Sequence, residues 1–384
     1  MLDGEREALA TRHDTLYMRL LIFSGHTMLH RSAAALATAF HAARRGQRVL
    51  LASAGPSHLI GALLGQNLSS RPLELEANLA AIEIDPTEEI SARWELLRPA
   101  LRNGLTSRLR DISSDELPSF PGMDAISALI VGERARETGN FDLLVLDGPT
   151  PDSLIRGLAL SDATRWLLRL VFGLDRGPGR SRTSQDAALI PSALISTSTV
   201  APLQDLRAEF EGYRARLDAS TGTRVRLVTS PEELRLPTIQ SDLSILGLYG
   251  LAVDELIVPG EPTDVSFETR QIFGHEGGHA RPTLRIEPLF STPTDRDAWA
   301  LRGAILYRDG DINTPPAHTT TTAERELRLA IPFLNAKALD IAVANEEVVV
   351  RLGQVRRHML LSGLSEGGRL RARVEGEVLR LWVE

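Results

Sequence analysis

A short segment of the chain holds residue types that phosphate-binding loops use. Residues 25–32 read Gly-His-Thr-Met-Leu-His-Arg-Ser, between an apolar strand-like run and an alanine-rich helical segment that begins near Ser32. Against the pattern G-x-x-x-x-G-K-[ST], Gly25 and Ser32 fit, His30 stands at the second glycine and Arg31 stands at the lysine. The segment therefore predicts either a degenerate anion or nucleotide site, or a plain strand–helix connection without a ligand.

The residue types decide what chemistry such a site could perform. Arg31 retains the charge of lysine but is bulkier and planar. His30 adds a side chain where glycine lets backbone N–H groups approach a phosphate. Ser32 is a candidate magnesium ligand, and Asp147 ends another predicted strand, where an acidic group could help to hold that ion. Asp147 can equally be interpreted as a strand-end residue facing an empty pocket.

The elements that would position these residues follow an α/β pattern. Apolar runs without alternation, typical of strands covered on both faces, are separated by helical stretches. The predicted strands are residues 19–23, 48–53, 79–84, 142–147, 192–196, 224–229, 255–258 and 284–288. The pattern predicts a doubly wound, mostly parallel sheet of seven or eight strands, with ligands at the carboxyl ends of the strands.

Two long helical stretches, at about residues 88–138 and 153–220, predict a helical subdomain within a P-loop NTPase-like domain of residues 1–308. An apolar segment in the second stretch is typical of core, and the family resemblance given below also implies a groove for a partner or hydrophobic client. Its candidate contact residues are Trp166, Leu167, Leu170 and Phe172. The polar and turn-forming residues of segment 309–323 predict a linker. Apolar and polar residues alternate in segment 324–384, which predicts a small antiparallel β sandwich.

Composition excludes several classes of function. The 384 residues include no cysteine, so disulfides, thiolate metal sites and arsenite capture by thiols are excluded. The net charge of −7 disfavours nucleic acid as the main partner. No apolar run is long enough to span a bilayer, and no secretory signal is visible, so we expect a cytoplasmic protein with at most indirect membrane association.

Several segments, taken in order, resemble the ATPase family of arsenite-pump motors and tail-anchored-protein-targeting factors, which are deviant P-loop NTPases. Besides the loop, they are residues 46–53, the switch-like Pro56-Ser57-His58, residues 78–86, 121–124, 141–149, 158–169 and 228–232. Residues from about 324 resemble the small-heat-shock-like β domain found in some bacterial members. The resemblance implies the predicted fold, ATP or ADP with magnesium as cofactor, and a dimer.

The departures from this family fall at its catalytic positions. Its lysine that reaches the nucleotide of the partner subunit corresponds to His26, and its water-positioning aspartate corresponds to Gly55. The asparagine that reads the base corresponds approximately to Pro259. Because phosphoryl transfer depends on charge neutralisation and positioning, we expect hydrolysis on the family mechanism to be very slow or absent.

We therefore expect a pseudo-ATPase without catalytic residues, with nucleotide absent or weakly bound. It would act through a protein client or a homologous subunit, as a homodimer or as a heterodimer with an active homologue, with the β domain as a chaperone-like accessory. The alternatives are an active targeting or anion-transport ATPase, in which Asp152 or Asp162 compensates for Gly55, and a scaffold with neither nucleotide nor client.

Three further patterns have ordinary interpretations. Residues 275–279 match H-E-x-x-H, but two glycines inside the motif disfavour the helix that zinc binding requires. The arginines at positions 176, 180 and 182 are typical of a solvated loop. His58 is more typical of a structural histidine than of a functional one.

Overall fold

The computed structural model describes most of the chain. The described ranges are residues 18–55, 59–101, 111–172, 222–273, 281–288, 295–308, 321–323, 325–344, 347–361 and 367–384, with a few single residues between them. The predicted strand at 192–196, the H-E-x-x-H segment, the arginines of residues 176–182 and His58 all lie outside the described residues.

An eight-stranded sheet forms the centre of the molecule, in the order β3-β4-β2-β5-β1-β6-β7-β8. The strands are β1 Arg19–Ser24, β2 Val49–Ala54, β3 Leu73–Glu76, β4 Leu79–Ile84, β5 Leu143–Asp147, β6 Thr223–Val228, β7 Val253–Pro259 and β8 Thr283–Glu287. Every pair is parallel except the edge pair β3 and β4. This confirms the predicted fold class. Among these eight strands β3 was not predicted, because its Leu-Glu-Leu-Glu sequence is too short and too charged to stand out.

Helices cover both faces of this sheet, as the continuous apolar strands require. They are α1 Met28–Arg44, α2 Leu59–Leu64, α3 Pro86–Leu97, α4 Met123–Thr138, α5 Pro151–Phe172, α6 Pro237–Leu248, α7 Phe267–Phe273 and α8 Arg296–Leu306. One core lies between the sheet and the pair α1 and α8, and the other lies under α4, α5 and α6. Helix α4 lies directly on the sheet, although its residues fall within the predicted helical subdomain.

Helix α1 packs unusually close to α8. A Cβ placed on Gly303 of α8 would lie 2.3 Å from the carbonyl oxygen of Ala37. The missing Cβ of Gly303, together with a run of buried alanines in α1, allows the two backbones to approach one another. Trp299 of α8 is buried in the core on this face of the sheet. The α1 helix is therefore held rigidly above β1 and β5, whose carboxyl ends meet at its first turn.

A buried polar network lies beneath the same pair of helices. Arg226 on β6 is fully buried, and its Nε lies 3.2 Å from a carboxylate oxygen of Glu255 and 3.6 Å from one of Asp254. Both acids reach Arg226 because the register of β6 and β7 shifts at this point. The guanidinium also donates to the hydroxyl of Tyr307 and lies over its ring. Burial raises the pKa of Asp254 to about 6, against the opposing effect of Arg226.

The C-terminal part is a small antiparallel β sandwich, as predicted. One sheet has the order β14-β15-β10-β9 and the other has the order β11-β12-β13. The strands are β9 Thr321–Ala323, β10 Glu326–Ala330, β11 Leu339–Ala344, β12 Glu347–Leu352, β13 Val355–Leu360, β14 Leu370–Glu375 and β15 Val378–Val383. Alternating apolar residues of both sheets form its core.

This sandwich is docked on α6 of the main domain. Leu248, the last residue of α6, is fully buried within the core of the sandwich. Ser244 donates a 2.6 Å hydrogen bond to the carbonyl oxygen of Pro332, and a Cβ on Gly247 would lie 2.8 Å from the carbonyl oxygen of Ala330. Helix α6 therefore belongs to both parts of the molecule. Within the described residues, no helix combines the length and the hydropathy that a membrane crossing requires.

Candidate functional site

The predicted loop lies at the carboxyl end of β1, between the carboxyl ends of β5 and β6. Gly25 follows β1 directly and has a φ of +148°. A Cβ at this position would lie 2.0 Å from the carbonyl oxygen of Val228, so only glycine fits. On the other side, the Gly148 amide donates to the carbonyl oxygen of Phe23 at 2.8 Å. The loop is thus held against both neighbouring strands.

The helix after this loop begins earlier than predicted. Helix α1 starts at Met28, whereas the sequence pattern places its start near Ser32. The Arg31 amide consequently donates to the carbonyl oxygen of Thr27 at 3.0 Å, and the Met28 amide donates to that of His26 at 3.0 Å. A phosphate cradle needs such amides to point at the ligand. Here the amides of Met28 and Arg31 donate to carbonyl oxygens of the loop and of the first turn of α1, so fewer amides can point at a phosphate.

The carboxylate of Asp147 organises the floor of the site. Its Oδ1 accepts a 2.7 Å hydrogen bond from Nε of Arg31, and its Oδ2 accepts a 2.6 Å hydrogen bond from the Ser32 hydroxyl. The Ser53 hydroxyl lies 3.2 Å from the same Oδ2. A second nitrogen of Arg31 donates to the carbonyl oxygen of Gly25 at 3.2 Å. Both oxygens of Asp147 are therefore occupied by groups of the chain itself.

Burial makes this arrangement energetically significant. The side chains of Arg31 and Asp147 are only 6% and 2% exposed. A charge removed from water to this extent needs a partner, and each supplies the charge that the other requires. The pair thus occupies the position where lysine, magnesium and phosphate would meet in a working site.

The two histidines of the motif have different surroundings. His26 is exposed and lies within electrostatic range of Asp242 on α6. His30 is half-buried, and its pKa is lowered by desolvation and then by Arg302, with Glu287 opposing the shift. Of the six predicted site residues, the structure therefore brings together Gly25, Arg31, Ser32 and Asp147, and it separates His26 and His30 from them.

Asp242 on α6 lies within electrostatic range of His26, Asp152 and Glu233. Desolvation raises the pKa of Asp242, and the negative charges of Asp152 and Glu233 raise it further. Asp152 forms a 2.9 Å ion pair with Arg156 on the exposed side of α5. Asp162 is buried, and its Oδ2 accepts a 3.1 Å hydrogen bond from the backbone amide of His358 in the β sandwich. Asp162 is therefore committed elsewhere and cannot compensate for Gly55.

A magnesium triphosphate fits these residues poorly. To bind, it would have to displace Arg31 and Ser32 from Asp147 and forgo the backbone amides that the first turn of α1 engages. Within the described residues, no group of three or more histidine, aspartate or glutamate side chains could hold a metal ion.

The candidate partner segment is only partly described. Trp166 on α5 is 48% exposed, which is high for a residue of its size. The side chains of Leu167, Leu170 and Phe172 lie outside the described residues, so a groove at this position stays a prediction.

Two contributors to the site are not among the predicted residues. Ser53 is a polar residue at the end of an apolar strand, and its register opposite Asp147 explains its role. This polar interruption is a signal that the sequence does contain. Asp242 has no comparable signal, because only the packing of α6 brings it within electrostatic range of His26.

Two family models match this chain. Residues 18–265, more than half of the chain, match the family model described as anion-transporting ATPase. Residues 322–381 match the model of the HSP20-like domain found in ArsA. A candidate arsenical pump-driving ATPase of Prosthecochloris vibrioformis is 24% identical over 376 residues, covering 91% of this chain and 93% of that protein.

Two other relatives extend the comparison. A second candidate arsenical pump-driving ATPase, from Aquifex aeolicus, is 23% identical and covers 90% of this chain and 94% of its own length. The arsenical pump-driving ATPase of Escherichia coli is 23% identical over 253 residues, which is 62% of this chain and 39% of that protein. The similarity thus extends through both parts of the molecule.

Proposed function

The chain belongs to the anion-transporting ATPase family, and from that premise we propose that it is a catalytically impaired member. It acts through contacts with a protein client or a partner subunit instead of through ATP turnover. Its nucleotide site is absent or binds ATP or ADP weakly.

The observation that carries this proposal is the closed set of contacts around Asp147. Arg31 neutralises the carboxylate and Ser32 donates to it, so the chain supplies both charge balance and hydrogen bonds without a ligand. Binding of magnesium would require the buried ion pair and the Ser32 hydrogen bond to be exchanged for new contacts. This exchange opposes nucleotide binding and lowers the expected affinity.

The groups that would accelerate hydrolysis are missing as well. Gly55 follows β2 and has no side chain to orient a water molecule. The loop has no lysine, and the exposed His26 lies within electrostatic range of Asp242. Loss of one preorganised group of this kind typically lowers a rate about 10²–10³-fold, so the combined losses support a turnover too slow to matter.

One observation favours the alternative, an active ATPase with a non-standard phosphate loop. The Ser32 hydroxyl lies 2.6 Å from the Asp147 carboxylate, and both are oxygen groups that could hold a magnesium ion. The buried hydroxyl of Thr27, at the start of α1, also has no hydrogen-bond partner within the described residues. An incoming anion could accept from it.

Calorimetric titration and a phosphate-release assay decide between these two functions. We expect the purified full-length chain to bind magnesium with ATP or ADP weakly or not at all, and to release no phosphate above the rate of a protein-free control. Asp147→Asn removes the candidate acidic group, and Asp340→Asn on the exposed strand β11 is the matched control. Magnesium-dependent hydrolysis that Asp147→Asn abolishes and Asp340→Asn preserves would establish the alternative.

A further inference from the structure

The outer face of the four-stranded sheet in the β sandwich is rich in arginine. Apolar residues at alternate positions of β10, β14 and β15 pack into the core, so the residues between them lie on the outer face. The charged side chains on this face of the three strands and of residues 369 and 384 are five arginines and three glutamates. They are Arg328, Arg369, Arg371, Arg373, Arg380, Glu326, Glu375 and Glu384. We call the five arginines the arginine face.

The register of the strands places three of these arginines in one row. Arg373 on β14 is directly opposite Arg380 on β15, and Arg380 is directly opposite Arg328 on β10. Like charges directly opposite one another in a sheet are destabilising. The row therefore works against folding, which is typical of a surface that serves binding.

Glu326 on β10 shows how this face holds a carboxylate. Its Oε1 accepts from Nε of Arg380 at 2.8 Å and from Nε of Arg328 at 2.5 Å, and its Oε2 accepts from a second nitrogen of Arg380 at 3.0 Å. Hydrogen bonds from Arg380 and then Arg328 lower the pKa of Glu326 to about 2. The guanidinium of Arg380 also lies over the ring of Trp382, 5.0 Å from its centroid, which orients it.

The remaining arginines lie along the edge of the sheet. Strand β14 is an edge strand, and Arg369, Arg371 and Arg373 occupy alternate positions along it and just before it. Arg371 pairs with Glu384 at 2.8 Å and Arg373 pairs with Glu375 at 3.2 Å, but all four side chains are 43–68% exposed. Exposed pairs of this kind contribute little to stability. These arginines can therefore exchange their partners for carboxylates of another molecule.

The spacing and the chemistry fit an extended acidic polypeptide better than a nucleic acid. Alternate residues of an extended chain repeat about every 6.5–7 Å, which is also the repeat of the arginines along β14. Binding of single-stranded nucleic acid uses free aromatic rings for base stacking. Trp382 is the aromatic residue on this face of the three strands, and Arg380 already covers its ring. The net charge of −7 also disfavours a polymer with a phosphate at every nucleotide.

We propose that the arginine face binds an extended polypeptide segment that carries glutamate or aspartate at alternate positions. Carboxylates of the segment pair with Arg371 and Arg373 at the edge of the sheet, as Glu326 pairs with Arg380 and Arg328. This inference goes beyond the proposed function, because the surface lies on the sandwich and is independent of ATP turnover.

Peptide binding tests this surface. Three fluorescein-labelled peptides of about twelve residues alternate threonine with glutamate, with glutamine or with lysine. Binding to the full-length chain is followed by fluorescence anisotropy at about 0.1 M salt. We expect the glutamate peptide to bind, and the glutamine peptide to bind about tenfold more weakly or less. Raising the salt to about 0.5 M should weaken the glutamate peptide severalfold.

Variants locate the contact. Arg371→Gln with Arg373→Gln should weaken the glutamate peptide about tenfold, because two ion pairs with the peptide are lost. The matched control is Arg351→Gln with Arg356→Gln, which removes the same charge from two exposed arginines that are directly opposite one another on the other sheet. It should change binding less than about twofold, since a screened charge acts only over a short distance.

A charge reversal gives a positive signal. Arg371→Glu with Arg373→Glu should abolish binding of the glutamate peptide and should create binding of the lysine peptide. Because both residues are exposed, the variant should unfold at the same urea concentration as the wild type, which checks that the fold is intact.

Several outcomes would overturn this proposal. They are no binding of the glutamate peptide, equal binding of the glutamate and glutamine peptides, or equal effects of the site and control variants. An oligothymidylate that binds these arginines more tightly than the glutamate peptide would identify a nucleic acid as the partner instead. A homodimer in sedimentation velocity that Arg371→Gln with Arg373→Gln dissociates would identify a second copy. The proposed function fails only in the phosphate-release assay, so the two failures are distinguishable.

Discussion

The ion pair between Arg31 and Asp147 makes a quantitative prediction about stability. Its Nε and Oδ1 atoms lie 2.7 Å apart with both side chains almost fully buried. At an effective dielectric constant of about 20, two charges at this distance attract with about 6 kcal/mol, most of which desolvation offsets. Removing one partner leaves the other charge buried, so Arg31→Met should lower the free energy of unfolding by about 3–5 kcal/mol.

A double-mutant cycle separates the pair from its surroundings. Asp147→Asn keeps the size and the acceptor for the Ser32 hydroxyl but removes the charge, and we expect it to cost about 2–3 kcal/mol. In the double variant neither charge is present, so the cost should be smaller than the sum by about 2 kcal/mol. The measurement is urea unfolding followed by tryptophan fluorescence, to which the buried Trp299 beside α1 contributes.

The chain offers a matched control for this cycle. Arg48 and Asp142 form a 2.6 Å ion pair between the same residue types, but their side chains are 50% and 39% exposed. Arg48→Met with Asp142→Asn should therefore show a coupling below about 1 kcal/mol. If the coupling of the buried pair were equally small, Arg31 would be solvated and free to meet a phosphate, and the site could no longer be considered closed.

Two further predictions concern the network at Asp254 and the docking of the β sandwich. Because the pKa of Asp254 is raised from 3.8 to about 6, the folded state binds the extra proton, and wild-type stability should fall by about 3 kcal/mol as the pH rises through this range. Asp254→Asn should flatten that change in urea titrations between about pH 4 and pH 7, and an unchanged slope would contradict it. Gly247→Ala should loosen the sandwich, costing about 1–3 kcal/mol and speeding proteolysis, because its Cβ meets strand backbone at 2.8 Å. Gly132→Ala, also inside a helix but facing only the tip of Leu144 at 3.2 Å, is the control and should be close to neutral.

The sheet could be predicted from the sequence because most of its strands are continuous apolar segments. Residues 79–84 coincide with β4, and the other predicted strands that fall within the described residues differ from the observed ones by one or two residues at an end. The alternation after residue 324 likewise predicts the sandwich. These signals are local. A strand that is buried on both faces has a continuous apolar run, and a strand that is buried on one face alternates apolar and polar residues.

The site could be predicted only in part. The loop pattern identifies Gly25, Arg31 and Ser32, and the end of a predicted strand identifies Asp147; the structure brings these four residues together. It does not reveal that α1 begins at Met28, because a pattern derived from loops carries no information on helical continuation. Nor does it reveal that Arg31 turns toward Asp147, or that α6 places Asp242 within electrostatic range of His26, since both depend on packing between distant segments.

The position of Leu248 changes where this molecule should be divided. The polar segment of residues 309–323 suggests two modules joined by a tether, but the last residue of α6 completes the hydrophobic core of the sandwich. A chain truncated after residue 308 would expose that leucine, together with the Ser244 hydroxyl that now donates to Pro332. We therefore expect the shortened chain to aggregate. The change in composition at residues 309–323 therefore does not mark a boundary between two parts that fold independently.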